Sequence, residues 1–268
     1  MKRVVFNQKG GVGKTSITCN LAAISAASGY RTLVVDLDVQ GNTTHYLVGE
    51  IDAEAFPAEA QGVAGLFKAT VGSRRMRQNP DSFVWETPWE NLFLMPSSPV
   101  LSTMEKELES RYKIYKLRDA LDKLAEEYDR VYIDTPPNFN FYSKSALIAA
   151  DTVLIPFDCD SFARQSLYSL MDNIAELQED HNPDLRVEGI VINQFNSQAR
   201  LPAELVAELE EEGYPVLASY LNTSVKMKES HREHRPLIDL APSHKLTGQF
   251  LALFSELESA RSRKVRAA

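Results

Sequence analysis

A loop that combines several glycines with two lysines stands near the start of the chain, in residues 7–16, which read NQKGGVGKTS. An apolar run precedes the loop and a helical pattern follows it. Backbone N–H groups and a helix N-terminus would therefore converge on one spot that suits phosphate groups. Lys14 would reach the β- and γ-phosphates of a nucleotide, and Thr15 would bind Mg²⁺. The predicted nucleotide-binding residues of this loop are Gly10, Gly11, Val12, Gly13, Lys14, Thr15 and Ser16.

The loop departs from two better-known phosphate-binding patterns. Where the G-x-x-x-x-G-K-[ST] pattern has its first glycine, this sequence has Gln8. The dinucleotide pattern G-x-G-x-x-G fails as well, because Gly11 and Gly13 are followed by Ser16 where glycine or alanine belongs. The sequence therefore favours a nucleoside triphosphate over a dinucleotide.

The second lysine of the loop, Lys9, needs its own explanation. A cation at the mouth of a phosphate site is better used on phosphates than in solvent. If its side chain cannot turn back onto its own loop, it can reach the nucleotide of a second subunit, as an arginine finger does in other NTPases. We therefore predict that Lys9 and Lys14 both take part in catalysis.

Three carboxylates come at the ends of apolar runs. Asp36 and Asp38 are two residues apart, so both can face the same side of an extended strand. Asp134 ends the run that begins at Val131. Because the carboxyl ends of strands in an open α/β sheet form the ligand crevice, these side chains would lie near the phosphate loop. Asp134 matches the acidic residue that holds Mg²⁺, usually through water, in such NTPases.

Short β-branched runs alternate with helical patterns, which favours an α/β fold with a doubly wound, mostly parallel sheet flanked by helices. The predicted strands are Arg3–Phe6, Thr32–Asp36, Asn91–Met95, Arg130–Asp134, Thr152–Pro156, Val187–Asn193 and one within Tyr214–Tyr220. The predicted helices are Ser16–Ser28, Met104–Tyr128, Ser143–Ala150, Ser166–Glu179, Pro202–Glu212 and Lys245–Arg261. Residues 51–99 are predicted as an irregular connection with a short helix around Val63–Ala69. We predict one domain over residues 1–268, with a basic C-terminal tail from about residue 261.

The composition of the 268 residues is that of a globular protein, with 44% hydrophobic and 25% charged residues. No apolar run approaches the roughly 20 residues of a membrane span, and the N-terminus has no signal-peptide pattern. The two cysteines offer neither a disulfide framework nor a C-x-x-C metal site. We therefore expect a cytoplasmic protein. A net charge of -8 argues against a wholly basic nucleic-acid binder, although it leaves local basic patches open.

The segments KGGVGKTS, VDLDVQGN and YIDTPP together resemble the deviant phosphate loop, the second acidic motif and the Mg²⁺ motif of ParA/MinD-type ATPases. The resemblance covers nearly the whole chain. It implies that Lys9 crosses an ATP-sandwiched homodimer and that Asp38 positions or activates the attacking water. It also implies that Asp36 and Asp134 support Mg²⁺ and that Asn193 contacts adenine. The segment from Asn222 to Ser230 resembles the one near the family's adenine pocket, so Asn222 is also predicted to bind the nucleotide, although it replaces a proline of the family's adenine loop.

Two branches of the family bind different surfaces: ParA-like dimers bind DNA without sequence preference, whereas MinD-like proteins bind membranes through a C-terminal amphipathic helix. The basic residues here that match or lie beside the DNA-binding positions of the ParA branch are Arg200, Lys226, Lys228, Arg232 and Arg235. Such side chains on a dimer face would neutralise phosphates, even on an acidic protein. The last helix has an apolar stripe at Phe250, Leu253, Phe254 and Leu257 and acidic residues on its polar face, which favours packing against the core over binding a membrane.

The resemblance therefore implies a ParA-like ATPase that uses ATP and Mg²⁺, dimerises, binds nucleoid DNA and positions or partitions a cargo. Slow hydrolysis would be stimulated by a ParB-like or other cargo-linked partner. The alternative is a MinD-like membrane-associated ATPase. Since the sequence begins at its first strand, we do not expect the N-terminal DNA-binding extension of larger plasmid ParA proteins, nor autorepression. The pair His231 and His234 lacks a clear third ligand, so we predict no metal site there.

Overall fold

The computed structural model describes residues 1–49, 61–71, 79–159, 163–195 and 200–267. Its strands are β1 (Lys2–Val5), β2 (Thr32–Asp36), β3 (Trp85–Glu86), β4 (Leu92–Met95), β5 (Arg130–Asp134), β6 (Thr152–Asp158) and β7 (Arg186–Asn193). These strands form one sheet in the order β3-β4-β2-β5-β1-β6-β7. Every neighbouring pair is parallel except β3, which runs antiparallel to β4.

Helices follow the strands on both faces of this sheet. They are α1 (Lys14–Ala27), α2 (Asn42–Val48), α3 (Gly62–Lys68), α4 (Leu101–Ser110), α5 (Lys116–Leu124), α6 (Phe141–Ala149), α7 (Ala163–Asp180), α8 (Arg200–Glu211), α9 (Val225–Arg232), α10 (Leu237–Leu240) and α11 (Lys245–Ala267). Successive strand residues point to opposite faces, so Val4 packs with α3 to α8 while Val5 packs with α1, α2, α10 and α11. The predicted doubly wound, mostly parallel fold is confirmed.

The predicted helix over Met104–Tyr128 is wrong, because the chain forms two helices there. Both Leu108 in α4 and Leu117 in α5 are fully buried in the same cluster. Nine residues of continuous helix would turn them to opposite sides, since each residue adds about 100°. The break at Tyr112, which has a φ of 55°, lets both leucines face the core.

The predicted strand within Tyr214–Tyr220 is also wrong. This segment meets β7 only at one isolated bridge, between Ile190 and Val216, and a second bridge joins Phe195 to Asn222. Pro215 contributes its carbonyl oxygen to the Ile190 N–H but has no N–H of its own. The segment therefore covers the edge of β7 without forming a continuous ladder.

The last helix packs against the core, as the sequence predicts. Phe250, Leu253 and Leu257 are almost completely buried on the face that also holds α1. The acidic side of the helix has specific partners. Glu256 accepts the N–H groups of Ala218 and Ser219, and Glu258 binds Arg130 at 2.9 Å. The backbone of α11 continues to Ala267, so the segment predicted as a tail is helical up to that residue. Residue 268 lies outside the described residues.

Candidate nucleotide site

The glycine-rich loop connects β1 to α1 at the carboxyl edge of the sheet. Gly11 and Gly13 have φ values of 79° and 93°, which L side chains rarely adopt. The side chain of Asn7 fixes the start of the loop, because it donates to Pro156 O of β6 at 2.7 Å and accepts Lys9 N–H at 2.9 Å. Helix α1 then begins without a side-chain cap and without an acidic residue in its first turn. Its first N–H groups are therefore directed at an anion site.

The two lysines of the loop point to different places. Lys14 is 7% exposed, and its Nζ donates to Lys9 O at 2.9 Å, across the inside of the loop. Burial lowers the pKa of Lys14, while the charges of Asp134 and Asp38 raise it. The Nζ of Lys9 instead lies 2.8 Å from both carboxylate oxygens of Asp158, the last residue of β6. Of the two lysines, Lys14 therefore lies inside the loop and Lys9 lies on its outer side, against β6.

The predicted carboxylates surround the same loop. Asp36 and Asp134 are opposite one another on the adjacent strands β2 and β5, and both are fully buried. Thr15 and Thr43 each donate to Asp134 Oδ2 at 2.7 Å. Asp38 is 7% exposed, and its Oδ1 accepts a backbone N–H at 3.0 Å. Burial raises the pKa of Asp134 to about 6, and burial together with the charge of Asp134 raises the pKa of Asp36 to about 8.

Asp36 is fully engaged within the protein. Its Oδ2 accepts both the N–H and the hydroxyl of Thr44, at 2.8 and 2.7 Å, and its Oδ1 accepts Asp38 N–H at 3.2 Å. Thr44 Oγ1 in turn accepts Ser97 N–H at 2.9 Å. Asp36 therefore fixes α2 and the turn that carries Asp38, and its predicted role toward Mg²⁺ stays a prediction.

The residues around Asp134 fit a magnesium ion. Asp134 Oδ1 is buried without a hydrogen-bond partner, and the Thr15 hydroxyl lies beside the same carboxylate. Two oxygen groups suit a small, hard divalent cation, and the charge of such a cation would offset the burial of the Asp134 carboxylate. Among the described residues, no group of three or more His, Cys, Asp or Glu side chains could hold a metal. A magnesium ion here would therefore take its remaining ligands from nucleotide phosphates and water.

Comparison with known proteins agrees with this geometry. A family model described as an AAA domain matches residues 2–187. The chromosome partitioning protein ParA of Myxococcus xanthus is 34% identical over 258 residues, which cover 94% of this chain and 86% of that protein. The chain belongs to the ParA-type family of P-loop ATPases.

Two solved structures are similar to this ParA-type chain. Cobyrinic acid a,c-diamide synthase from Mycobacterium smegmatis, solved with ADP and magnesium, is 29% identical with a TM-score of 0.73 and covers 87% of this chain and 92% of its own. An ATP complex of a Cyanothece McdA variant has a TM-score of 0.80 over 98% of this chain and 95% of its own, and at 24% identity it shows the fold alone.

The residues predicted to contact adenine lie beside the loop of this ParA-type ATPase. Asn193, at the end of β7, donates to Val12 O at 2.8 Å, so it supports the loop from outside. Gln194 adds a bond of 2.7 Å to Gly11 O. Asn222 does not bond to the loop in the described residues; its side-chain amide donates to Phe195 O, just after β7, at 3.2 Å. The roles of Asn193 and Asn222 toward adenine stay predictions.

Four of the five basic residues predicted to bind DNA lie on or near α9, and three of them pair with local carboxylates. Lys226 binds Glu229, Arg232 binds Glu233 at 2.9 Å, and Arg235 binds Asp239 at 2.7 Å. The fourth, Lys228, is an exposed residue of α9. The fifth, Arg200, begins α8, and the four residues before it, 196–199, lie outside the described residues.

A buried polar network, absent from the sequence predictions, joins the phosphate-binding helix to α9. Asn20 of α1 donates to Ser16 O and to Tyr46 OH of α2, at 2.8 and 3.1 Å. Tyr46 OH forms a 2.5 Å hydrogen bond with Ser230 of α9. The residues Asn20, Tyr46 and Ser230 are each at least 98% buried. Ser16 Oγ also lies 3.0 Å from His231 Nε2. The ParA-type nucleotide site and α9 are therefore held in one polar unit.

Sequence reasoning missed Asp158, Thr43, Thr44 and the helix α2 that carries the two threonines. The threonines directly follow VDLDVQGN, so two hydroxyls after a nucleotide-binding acidic motif were the available signal. No local pattern pointed to Asp158, which lies 149 residues from Lys9.

Proposed function

We propose that this ParA-type chain, as one domain over residues 1–268, is a slow ATPase that dimerises on ATP and Mg²⁺ and binds DNA without sequence preference. Hydrolysis, stimulated by a cargo-linked partner, then releases the dimer from DNA. Such a protein positions a chromosome, a plasmid or a protein assembly in the cytoplasm, on the nucleoid. The nucleotide and magnesium in the M. smegmatis structure and the name of the M. xanthus relative support this proposal.

The placement of the two lysines carries the proposal. Lys14 lies inside the loop, near Asp134 and Asp38, where it can neutralise phosphate charge. Lys9 lies at the loop's entrance with 30% of its side chain exposed, directed away from that interior toward Asp158. A cation placed there is available to the nucleotide of a second subunit. Such a contact makes dimerisation depend on the nucleotide.

The basic residues of α9 support DNA as the ligand of the dimer, although they are paired in the free chain. Exposed ion pairs such as Arg232–Glu233 and Arg235–Asp239 are worth only about 0–1 kcal/mol each. DNA phosphates can therefore compete for these cations, with the release of counterions from DNA as the driving force.

The membrane alternative is disfavoured by α11. A membrane-binding helix needs a free apolar face. The stripe of α11 at Phe250, Leu253 and Leu257 is instead buried against the sheet and α1. In the described part of the chain, no helix is long and apolar enough to cross a membrane.

One experiment separates the two functions. The protein is mixed with ATP and Mg²⁺, and gel retardation of arbitrary DNA is compared with sedimentation on anionic liposomes. We expect retardation that needs ATP and weakens with salt. Binding to liposomes without retardation of DNA would overturn the proposal in favour of the MinD-like alternative.

Charge reversals locate the DNA-binding surface. Arg200→Glu and Lys226→Glu should each weaken the salt dependence of DNA binding while ATP-dependent dimerisation persists. In a plot of log affinity against log salt, the negative slope should become shallower by about one per protomer. Lys123→Glu is the matched control, because it reverses an exposed lysine of α5 on the other face of the sheet. If a variant no longer dimerised, its residue would have a role other than DNA binding.

Asp38→Ala should form an ATP dimer without turnover, and normal turnover would refute its catalytic role.

A further inference from the structure

The contact between Lys9 and Asp158 is built by the loop itself. Asn7 holds the loop's first residues to β6 and also accepts the Lys9 N–H, so the backbone of Lys9 is fixed from both sides. Asp158 ends β6, two residues after Pro156, to which Asn7 donates. The ammonium of Lys9 then lies 2.8 Å from each oxygen of the Asp158 carboxylate. The contact therefore joins the entrance of the loop to the carboxyl end of β6.

The Lys9–Asp158 pair is accessible enough to be exchanged. The side chains are 30% and 23% exposed, so water screens their attraction. The pair of Arg3 and Glu188 shows the opposite case, since Arg3 is fully buried and binds both Glu188 oxygens at 2.6 Å. Losing a partner from a buried pair is strongly destabilising, whereas a partly exposed pair can open at smaller cost. The Lys9 contact is therefore one that binding events can replace.

We infer that Asp158 holds Lys9 on its own subunit and thereby sets the concentration at which the ATP dimer forms. The inference rests on the proposed function, in which Lys9 binds the nucleotide of a second copy of this chain. The Asp158 carboxylate and a partner's phosphates are both anionic and repel each other, so they compete for the ammonium of Lys9. Each protomer must break its Lys9–Asp158 pair before the dimer closes, and Asp158 is thus a positioning residue that opposes dimerisation.

The expected effect follows from the strength of the pair. A partly exposed ion pair with one ammonium between two carboxylate oxygens lies near the upper end of the surface range, at about 1 kcal/mol, or about five-fold in an equilibrium constant. Since both protomers must release Lys9, Asp158→Asn should tighten the ATP dimer by about 25-fold. The substitution keeps the size of the side chain and removes only its charge.

The test is sedimentation equilibrium with ATP and Mg²⁺ on wild type, Asp158→Asn and Asp122→Asn. Asp122→Asn is the matched control, because it breaks an exposed carboxylate pair with Lys2, at 2.5 Å, at the opposite edge of the strands. We expect tighter dimers for Asp158→Asn alone, with the affinity of the dilute monomer for ATP unchanged. Asp158→Ser, which also lacks the charge, should act in the same direction.

Two outcomes separate this inference from the proposed function. If wild type forms no ATP dimer, the proposed function fails and the role of Asp158 fails with it. If wild type dimerises and Asp158→Asn dimerises equally or more weakly, only the role of Asp158 is overturned. Any weaker dimer that a Lys9→Gln variant still forms should be insensitive to Asp158→Asn, because no ammonium is then held. An Asp158→Asn effect that persists in that background would show that Asp158 acts on dimerisation without Lys9.

Discussion

Three glycines of the phosphate loop are expected to respond very differently to the same substitution. A Cβ added at Gly10 or Gly11 would meet nothing within 4 Å, whereas at Gly13 it would lie 2.1 Å from Asn193 Nδ2. Gly11 and Gly13 have left-handed φ values of 79° and 93°, and Gly10 does not. The series Gly10→Ala, Gly11→Ala and Gly13→Ala therefore separates three cases: open space, backbone strain alone, and strain with a collision.

The magnitudes follow from these differences. Gly10→Ala should change the free energy of unfolding by no more than about 0.5 kcal/mol. Gly11→Ala should cost about 1–2 kcal/mol, since an L side chain is strained in the left-handed region. Gly13→Ala should cost about 3 kcal/mol or more, because Asn193 must also leave its rotamer and lose its 2.8 Å bond to Val12 O.

Urea denaturation without nucleotide, followed by circular dichroism, measures this series. At this chain length each kcal/mol corresponds to about 2–4 °C in Tm, so thermal melting gives an independent reading. The double variant Gly13→Ala/Asn193→Ala isolates the collision. In the Asn193→Ala background, the cost of Gly13→Ala should fall to the value found for Gly11→Ala.

Either of two results would contradict these expectations. If Gly13→Ala is no more destabilising than Gly10→Ala, neither the left-handed φ nor the contact with Asn193 constrains the loop. If the cost of Gly13→Ala is the same with and without Asn193, the short distance has no energetic consequence.

Two further predictions concern the buried groups around the site. The folded-state pKa values of Asp36 and Asp134 lie above the value of about 3.9 expected when unfolded, so the nucleotide-free protein should lose stability as pH rises from about 4 to 8. Stabilisation by ATP with Mg²⁺ should in turn grow from pH 6 to 8. Melting curves across this range check both trends, and a stabilisation independent of pH would contradict them. Tyr46→Phe should destabilise the protein by about 1–3 kcal/mol, because Asn20 and Ser230 each lose a buried partner. Urea denaturation measures this loss. An unchanged midpoint would show that the hydrogen bonds of Tyr46 contribute nothing to stability.

The sequence predicted those parts of the site that depend on one strand and the residues directly after it. Glycines and Lys14 between an apolar run and a helix define the loop locally, and parallel strands bring their carboxyl ends to one edge, which places Asp36 near Asp134. Contacts that depend on packing between distant segments were out of reach, such as the Lys9–Asp158 pair. The break between α4 and α5 did leave a signal, since Leu108 and Leu117 cannot both face the core from one straight helix.

The two ends of the sheet have a consequence for how copies of this chain can associate. At one end β3 is only two residues long and antiparallel, and Pro88 follows shortly after it. At the other end, the bridge at Val216 occupies the outer side of β7. Exposed strand edges let chains join by extending a sheet, regardless of ligand. With both edges short or covered, polymerisation through the sheet is suppressed, and self-association of this chain would have to use surfaces formed by helices and loops.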